Sequence, residues 1–295
     1  MQKIISEFIS SNERPLIVLL GPTASGKTGA SIELAKDFNG EIISADSRQV
    51  YRHMDIGTAK ITLQERQGVP HHLLDVVDPD QRFTLNDFKS HAEKMIDEIF
   101  KKGKIPIMVG GTGLYIEAIT QNFSLPPENP DVRAQLYKEL EEVGAEELHA
   151  RLAKVDPQSA TKFHFNNSRY IIRALEVAMT TGSAKKDTTA PPKYDVIKVG
   201  YQWEREKLYK RINARAEEQI KNGLFEETAK LLKMGYDPSL PSMSSLGYRE
   251  SIQYLNEELS REEALAAIQQ NCRNYARKQL TWFKKDGKIR WTVKS

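Results

Sequence analysis

The sequence predicts an α/β protein with a parallel sheet core, interrupted by an all-helical insertion and resumed after it. Three observations predict it. Short apolar, branched runs alternate with amphipathic stretches of helical period in the first 121 residues, the rhythm of strand–helix–strand units. A glycine-rich turn, GPTASGKT at 21–28, sits between the first run and the first helix. Strand patterns then disappear from about 131 to 181 and return at DVIKVGYQ, 195–202.

Each element has its own signal. PLIVLL (15–20) is an unbroken apolar run and reads as a strand buried on both faces. Ile32, Leu34, Ala35 and Phe38 mark the helix after the turn, and EIISAD (41–46) is the next strand, ending in an acid. HLLDVV (72–77) is a weaker strand. Thr84 and Asp87 have the spacing of a capping box, Phe88, Met95, Ile96, Ile99 and Phe100 supply the apolar face behind it, and Gly103 ends that helix. IPIMVGG (105–111) is a third strong strand. A Pro- and Asn-rich stretch at 121–130 and the polar linker GSAKKDTTAPPK at 182–193 bracket the insertion. This gives a first core segment at 1–121, a helical insertion at 122–193 and a core completion with basic helices at 194–295. Helical patterns cover 204–234 and 260–285, and IRWTV (289–293) adds a last strand.

Composition narrows the class. With 39% hydrophobic and 28% charged residues the chain is neither disordered nor fibrous. No apolar run approaches the ~20 residues of a membrane-spanning helix. Glu7 interrupts the only stretch that could act as an export signal, and a lone Cys272 fits a reducing compartment, so a cytoplasmic monomer is expected. The formal net charge is only +3, but it is concentrated. Eight basic residues face one acid between Asn271 and Ser295, and Lys162, Arg169, Arg173, Lys185 and Lys186 face only Glu176 between 161 and 186. Two basic segments on a near-neutral chain suit a polyanion, although a solvated charged face is the plainer reading of a charge run alone.

GPTASGKT fits the phosphate-loop pattern, which makes the core P-loop NTPase-like. Gly21 and Gly26 let the backbone of Pro22-Thr23-Ala24-Ser25 turn so that the N–H groups after Pro22 and at the helix start face an anion. Lys27 supplies a cation and Thr28 a hydroxyl for Mg2+. The loop alone does not choose between a nucleotide and another diphosphate. Asp46, at the end of the second strand, stands where such sheets place their ligand. It could hold magnesium, act as a general base or cap the loop. Thr112 lies in GGTGLY (110–115), whose glycines would allow a ligand to approach closely.

The ordered set GPTASGKT, DSRQVYRHMDIGTAK (46–60), GGTGLY, NNSRYIIRALEV (166–177) and NYARKQLTWFKK (274–285) strongly resembles the tRNA dimethylallyltransferase, or tRNA isopentenyltransferase, family. LYKRINARAEEQIKNGLFEE (208–227) and SLGYRE (245–250) extend the match, while Ile61, Tyr170 and the order Arg277-Lys278 depart from it. The resemblance implies transfer of a dimethylallyl group from dimethylallyl diphosphate to the exocyclic amine of the adenosine 3′ of the anticodon. It implies Asp46 as base and Thr23 and Thr112 beside the reacting groups. It puts Arg215, ahead of Arg211, on the diphosphate. Asp46, Ser47, Arg48, Gln49 and Thr112 would hold the flipped nucleotide, and Arg133, Arg169 and Arg173 the anticodon stem-loop. Trp282 and Phe283 read more readily as core than as stacking platforms. A nucleoside or small-molecule kinase would explain the phosphate loop but not the basic blocks. A non-enzymatic RNA-binding protein would explain the basic blocks but leave Asp46 and Thr112 without a task.

Overall fold

The computed structural model describes residues 1–184 and 188–294, and for Thr188 the backbone only. Lys185 and Lys186, counted in the second basic segment, lie outside the described residues, as does Ser295. The elements run α1 Gln2–Ser10, β1 Pro15–Leu20, α2 Lys27–Asp37, β2 Gly40–Ala45, β3 His71–His72, α3 Leu85–Lys101, β4 Ile105–Gly110 and α4 Gly113–Thr120. Then come β5 Phe123–Ser124, α5 Pro130–Val155, α6 Pro157–Lys162, α7 Ser168–Thr181 and β6 Thr188–Thr189. The chain closes with β7 Asp195–Trp203, α8 Arg205–Lys221, α9 Leu224–Lys233, α10 Tyr248–Leu255, α11 Arg261–Phe283 and β8 Arg290–Lys294. They form two compact units, Met1–Gln121 with Pro192–Ser295, and Asn122–Pro191.

The first unit is built on a six-stranded sheet of order β3-β2-β4-β1-β7-β8, every pairing parallel. Period-two alternation in β1 divides its side chains between two cores. Leu16, Val18 and Leu20 pack with Phe88, Ile96, Ile99, Ile116 and Ile119 of α3 and α4. Ile17 and Leu19 pack with Ile5, Ile32 and Leu34 of α1 and α2. The apolar runs are therefore near-continuous because both faces are covered. The Thr84 box forms as expected, with Thr84 accepting from Asp87 N–H and Asp87 accepting from Thr84 N–H. The stretch 72–77 departs from expectation. Only His71–His72 is strand, because Leu73 and Asp75 take left-handed φ of 61° and 56°, and the chain turns to bridge Val77 to Tyr51.

A third core joins the loop after β2 to the C-terminal helices, with Val50, Tyr51 and Met54 against Ala216, Leu224, Phe225, Met243 and Tyr248. Polar contacts pin the same loop. The Glu227 carboxylate accepts the N–H groups of Asp55, Ile56 and Gly57 and the Tyr248 hydroxyl, and the Gln219 amide donates to the Ile56 and Gly57 carbonyls. A side chain at Gly57 would meet the Tyr248 ring at 2.3 Å. Lys60, with 4% of its side chain exposed, is neutralised by Asp55 and Asp75, each at 2.6 Å. This is the physical content of DSRQVYRHMDIGTAK: a loop nailed down from below so that its first residues are fixed at the strand ends.

Glu41, on β2, is buried and ion-paired with Lys102, Lys104 and His72, whose contacts hold its carboxyl at about 2 against the cost of burial. Because that pKa is depressed, the stabilisation is present at neutral pH and is lost as pH falls from about 4.5 towards 2. Glu41→Gln should leave Lys102 and Lys104 without their anion and lower stability by about 1–3 kcal/mol at pH 7. The difference from the parent should shrink towards pH 3, as thermal melts across that range will show.

The second unit, Asn122–Pro191, carries α5, α6 and α7 round Leu136, Leu148, Leu152, Ile171, Ile172 and Leu175. Asn129 caps α5, Pro130 starts it, and Gly144 (φ 84°, ψ 168°) kinks it. The unit is not wholly helical, since β5 pairs antiparallel with β6.

Candidate active site

The site lies in the first unit, at the carboxyl ends of β1 and β2, where the parallel strands deliver the phosphate loop and Asp46 side by side. A cavity of about 410 Å³ is lined there by Thr23, Ala24, Asp46, Ser47, Arg48 and Thr58 from the sheet side. Arg215, Gln219, Ser245, Arg249, Asn271, Asn274 and Tyr275 line it from the C-terminal helices and the loop before α10.

The phosphate loop is held from three sides. Gly26 takes φ 88° at the N-cap of α2, a conformation open to glycine at no steric cost. The Trp203 indole donates to the Ser25 carbonyl at 3.0 Å, and the Arg211 guanidinium donates to the Ala24 carbonyl at 2.8 Å while lying over the Trp203 ring. From α11, the Gln279 amide oxygen accepts the Thr23 N–H at 2.9 Å. Lys27 folds back on its own loop, donating to the Gly21 and Pro22 carbonyls at 2.9 and 2.6 Å. Burial and, after it, the nearby Arg215 charge pull its ammonium down to about 7, with Asp46 opposing both.

Arg215 sits one helical turn beyond Arg211 on α8 and behaves differently. Arg211 is committed to the loop backbone, whereas Arg215 lines the cavity with no hydrogen bond or ion pair among the described residues. Burial lowers its pKa, with Cys272, Asp46 and Glu218 pulling the other way. Two cations that each disfavour the other's charge, beside an anion-shaped loop, form a site for a multiply charged anion.

Asp46 divides its two oxygens. Oδ1 accepts the Arg48 N–H at 2.8 Å and the Gln49 N–H at 3.4 Å, a local cap on the loop. Oδ2 has no partner within the described chain, and the side chain lines the cavity. Capping and proton acceptance are thus compatible in one residue. Thr112 accepts the Ser47 N–H at 3.2 Å, and burial pushes the Tyr275 hydroxyl up to about 12. Arg48 donates to the Pro241 carbonyl and still lines the cavity.

Several expected site residues are placed elsewhere. The Gln49 amide is used internally, accepting from Ser44 and donating to the Thr58 and Ala59 carbonyls, so it holds the loop rather than facing the cavity. With Thr28, Gln49 lines a separate recess of about 40 Å³. In GGTGLY, Gly110 makes room for the Ala45 backbone of β2, and Gly111 and Gly113 make room for α11. A Cβ at Gly111 would meet Gln279 at 2.2 Å, and one at Gly113 would meet Trp282 at 2.4 Å. Trp282 is not core: it is 38% exposed, lies on Gly113 and donates to Glu117 at 2.7 Å, while Phe283 is buried as expected. The motif GGTGLY and the motif RKQLTW therefore require one another sterically. In the second unit, Arg133 and Arg173 surround the fully buried Glu176. Arg133 pairs with Glu176 and Glu128, and Arg173 also donates to the Pro126 and Pro127 carbonyls. Both are internal ties there, whereas Arg169 is exposed at the start of α7. The signal for this network was in the sequence: an acid flanked by Leu175 and Val177 on a buried helical face must bring its own cations.

Sequence reading missed Tyr275, Gln279, Arg249 and Asn271, all contributed by α10 and α11. Their signal is weak, because polar residues on an amphipathic helix ordinarily face water.

A family model named IPP transferase matches residues 49–286. The chain belongs to the IPP transferase family. A tRNA dimethylallyltransferase of Heliobacterium modesticaldum is 45% identical over 282 residues, covering 93% of this chain and 88% of that protein. The crystal structure of a tRNA isopentenylpyrophosphate transferase from Bacillus halodurans is 42% identical with a TM-score of 0.72, covering 95% of this chain and 90% of that one. A eukaryotic dimethylallyltransferase solved acting on tRNA superposes with a TM-score of 0.83 at 28% identity, covering 95% of this chain and 74% of that one. The chain is accordingly an enzyme, a prenyltransferase of this family, and the kinase and non-enzymatic readings fall away. Among the described residues no helix is long and apolar enough to cross a membrane.

Proposed function

We propose that the cavity beside the phosphate loop is where this IPP transferase family member prenylates tRNA. The chain transfers a dimethylallyl group from dimethylallyl diphosphate to the exocyclic amine of the adenosine 3′ of the anticodon, releasing pyrophosphate. The observation that carries the reading is the joint exposure to one cavity of an unpartnered Arg215 and an unpartnered Asp46 Oδ2 beside the phosphate loop.

The donor's diphosphate takes the loop N–H groups, Lys27 and Arg215. As the bond between the allylic carbon and the diphosphate oxygen breaks, negative charge grows on that oxygen, where a preorganised cationic cradle stabilises it more than it stabilised the bound donor. The amine nitrogen forms the new bond to carbon, and its proton passes to Asp46 Oδ2, held ready while Oδ1 caps the loop. Thr23 and Thr112 hydroxyls orient the amine and diphosphate. Ser47 and Arg48 hold the flipped nucleotide, a base in an anticodon loop being cheap to unstack.

Among the described residues no group of three or more His, Cys, Asp or Glu side chains converges to cage a metal. A single hydroxyl at the start of a phosphate-binding helix fits Mg2+, which keeps its waters and takes substrate phosphate oxygens. Thr28, at the start of α2 beside the phosphate loop, would hold the ion, which would supply charge neutralisation at the leaving diphosphate. The chain acts as a monomer.

Pyrophosphate release from dimethylallyl diphosphate tests the reading. It should require tRNA with an adenosine 3′ of the anticodon, and ATP should not replace the donor. Release at the same rate without tRNA would overturn it.

In the second unit, exposed Arg169 meets RNA phosphate, while Arg133 and Arg173 shape the surface around it. Arg169→Ala should reduce the slope of log affinity for tRNA against log salt by ~0.7–0.9. Arg173→Ala should leave the slope unchanged and instead destabilise that unit by about 1–3 kcal/mol, since Glu176 loses one of its cations. Filter binding across a salt series, with melting of both variants, checks the pair.

A further inference from the structure

We infer that Gln279 is a positioning residue, a fork on α11 that sets the phosphate loop and the turn after β4 at a fixed separation for prenyl transfer. The inference rests on the reading above. Gln279 is 7% exposed, and both ends of its amide are used. Oε1 accepts the Thr23 N–H and Nε2 donates to the Gly111 carbonyl, each at 2.9 Å.

The two bonds join segments that no β-ladder joins at that level. β1 and β4 pair only up to Leu20 and Gly110, and beyond those residues both chains leave the sheet. Thr23 and Gly111 lie just past that end, and Thr112 follows Gly111. The fork therefore fixes the backbone of one threonine directly and that of the other through its neighbour. It is mounted on a rigid base. Gln279 stands two residues after Arg277 on a 23-residue helix, and its side chain occupies the space that a Cβ at Gly111 would take. Tyr275, one turn earlier on α11, lines the cavity, so the helix that carries the fork also forms part of the cavity wall.

The chemistry asks for such a device. The attacking amine and the departing diphosphate must be held within a few tenths of an ångström of line, and misplacement by about 1 Å costs on the order of 100-fold. The Thr112 N–H reaches the Ala45 carbonyl at the end of β2 at 3.3 Å, which ties the turn after β4 to its neighbouring strand but not to the phosphate loop. Gln is the residue for this task because a neutral amide offers an acceptor and a donor at opposite corners. Glutamate would turn an acceptor against the Gly111 carbonyl.

The test compares Gln279→Met, which keeps volume and loses both bonds, with Gln279→Glu, which keeps only the acceptor for Thr23. Trp282→Phe serves as control, since it breaks a bond of the next helical residue cluster to Glu117 but leaves the fork intact. Single-turnover prenyl transfer is measured with saturating donor and tRNA, alongside both affinities and melting temperatures. The expected result is a rate about 10- to 100-fold below the parent for Met, at least fivefold below for Glu, and unchanged for Trp282→Phe. Both affinities should stay within about threefold, because Lys27, Arg215 and the loop N–H groups after Thr23 keep their own contacts. A merely structural Gln279 would lower the melting temperature with an unchanged rate per folded molecule. If Met does not fold, a Glu rate within twofold of the parent overturns the inference. A parent enzyme that forms no prenylated adenosine would instead overturn the functional reading on which it rests.

Discussion

Asp46→Asn is expected to reduce single-turnover prenyl transfer by roughly 10²–10⁴-fold while leaving the fold, donor affinity and tRNA affinity close to the parent's. The geometry makes this substitution unusually discriminating. Asparagine keeps an Oδ1 that can still accept the Arg48 and Gln49 N–H groups, so the cap is preserved and stability should change by no more than about 0.5 kcal/mol. What changes is Oδ2, which becomes an NH2 that cannot take the amine proton. A capping role alone predicts a near-normal rate. A magnesium ligand predicts a loss that excess magnesium partly restores. A base predicts a loss that metal does not restore. A rate within about threefold of the parent would remove Asp46 from the chemistry, since that is far below the expected effect.

Lys27→Ala should lower the rate by on the order of 10²–10³-fold, the loss typical of removing one preorganised partner of a developing anion. Affinity for tRNA should hold, because the side chain bonds only to its own loop in the free protein. A second signature follows from its pKa. With the free ammonium held down to about 7 by burial and Arg215, much of Lys27 is neutral at pH 8. An incoming diphosphate raises that pKa, so donor binding takes up a proton. A pKa raised on binding favours the complex fully below pH 7 and progressively less as pH rises through 7 to 9, so donor affinity should fall over that window. Calorimetry in buffers of differing ionisation enthalpy should show proton uptake near pH 8 that vanishes in Lys27→Ala. Unchanged turnover in the variant would remove Lys27 from leaving-group stabilisation.

The strands that carry the site were legible because burial on both faces demands near-continuous apolar runs, which β1 and β4 supply, while β2 and β7 were read from shorter apolar and alternating patterns. HLLDVV was read as a strand on the same logic, and failed because Leu73 and Asp75 turn left-handed to bring Val77 to Tyr51. The phosphate loop and Asp46 were legible because their chemistry is local: a short pattern and a strand end. Gln279 and Tyr275 were not, since their meaning depends on which turn α11 meets, some 168 residues away in the chain for Gln279 and Gly111. The same holds for Gln49, which the family resemblance assigned to the nucleotide while in the fold its amide donates to the Thr58 and Ala59 carbonyls. Glycines in GGTGLY illustrate the limit most clearly. A small residue reports that something comes close, and the sequence does not say whether it is substrate or a helix.

Mass analysis of nucleosides from tRNA incubated with the enzyme, dimethylallyl diphosphate and magnesium tests the central claim most directly. The account predicts an adenosine carrying one five-carbon prenyl group on its exocyclic amine, located 3′ of the anticodon and absent when either enzyme or donor is omitted. Unmodified adenosine in every tRNA offered, from folded protein that binds both substrates, would contradict it.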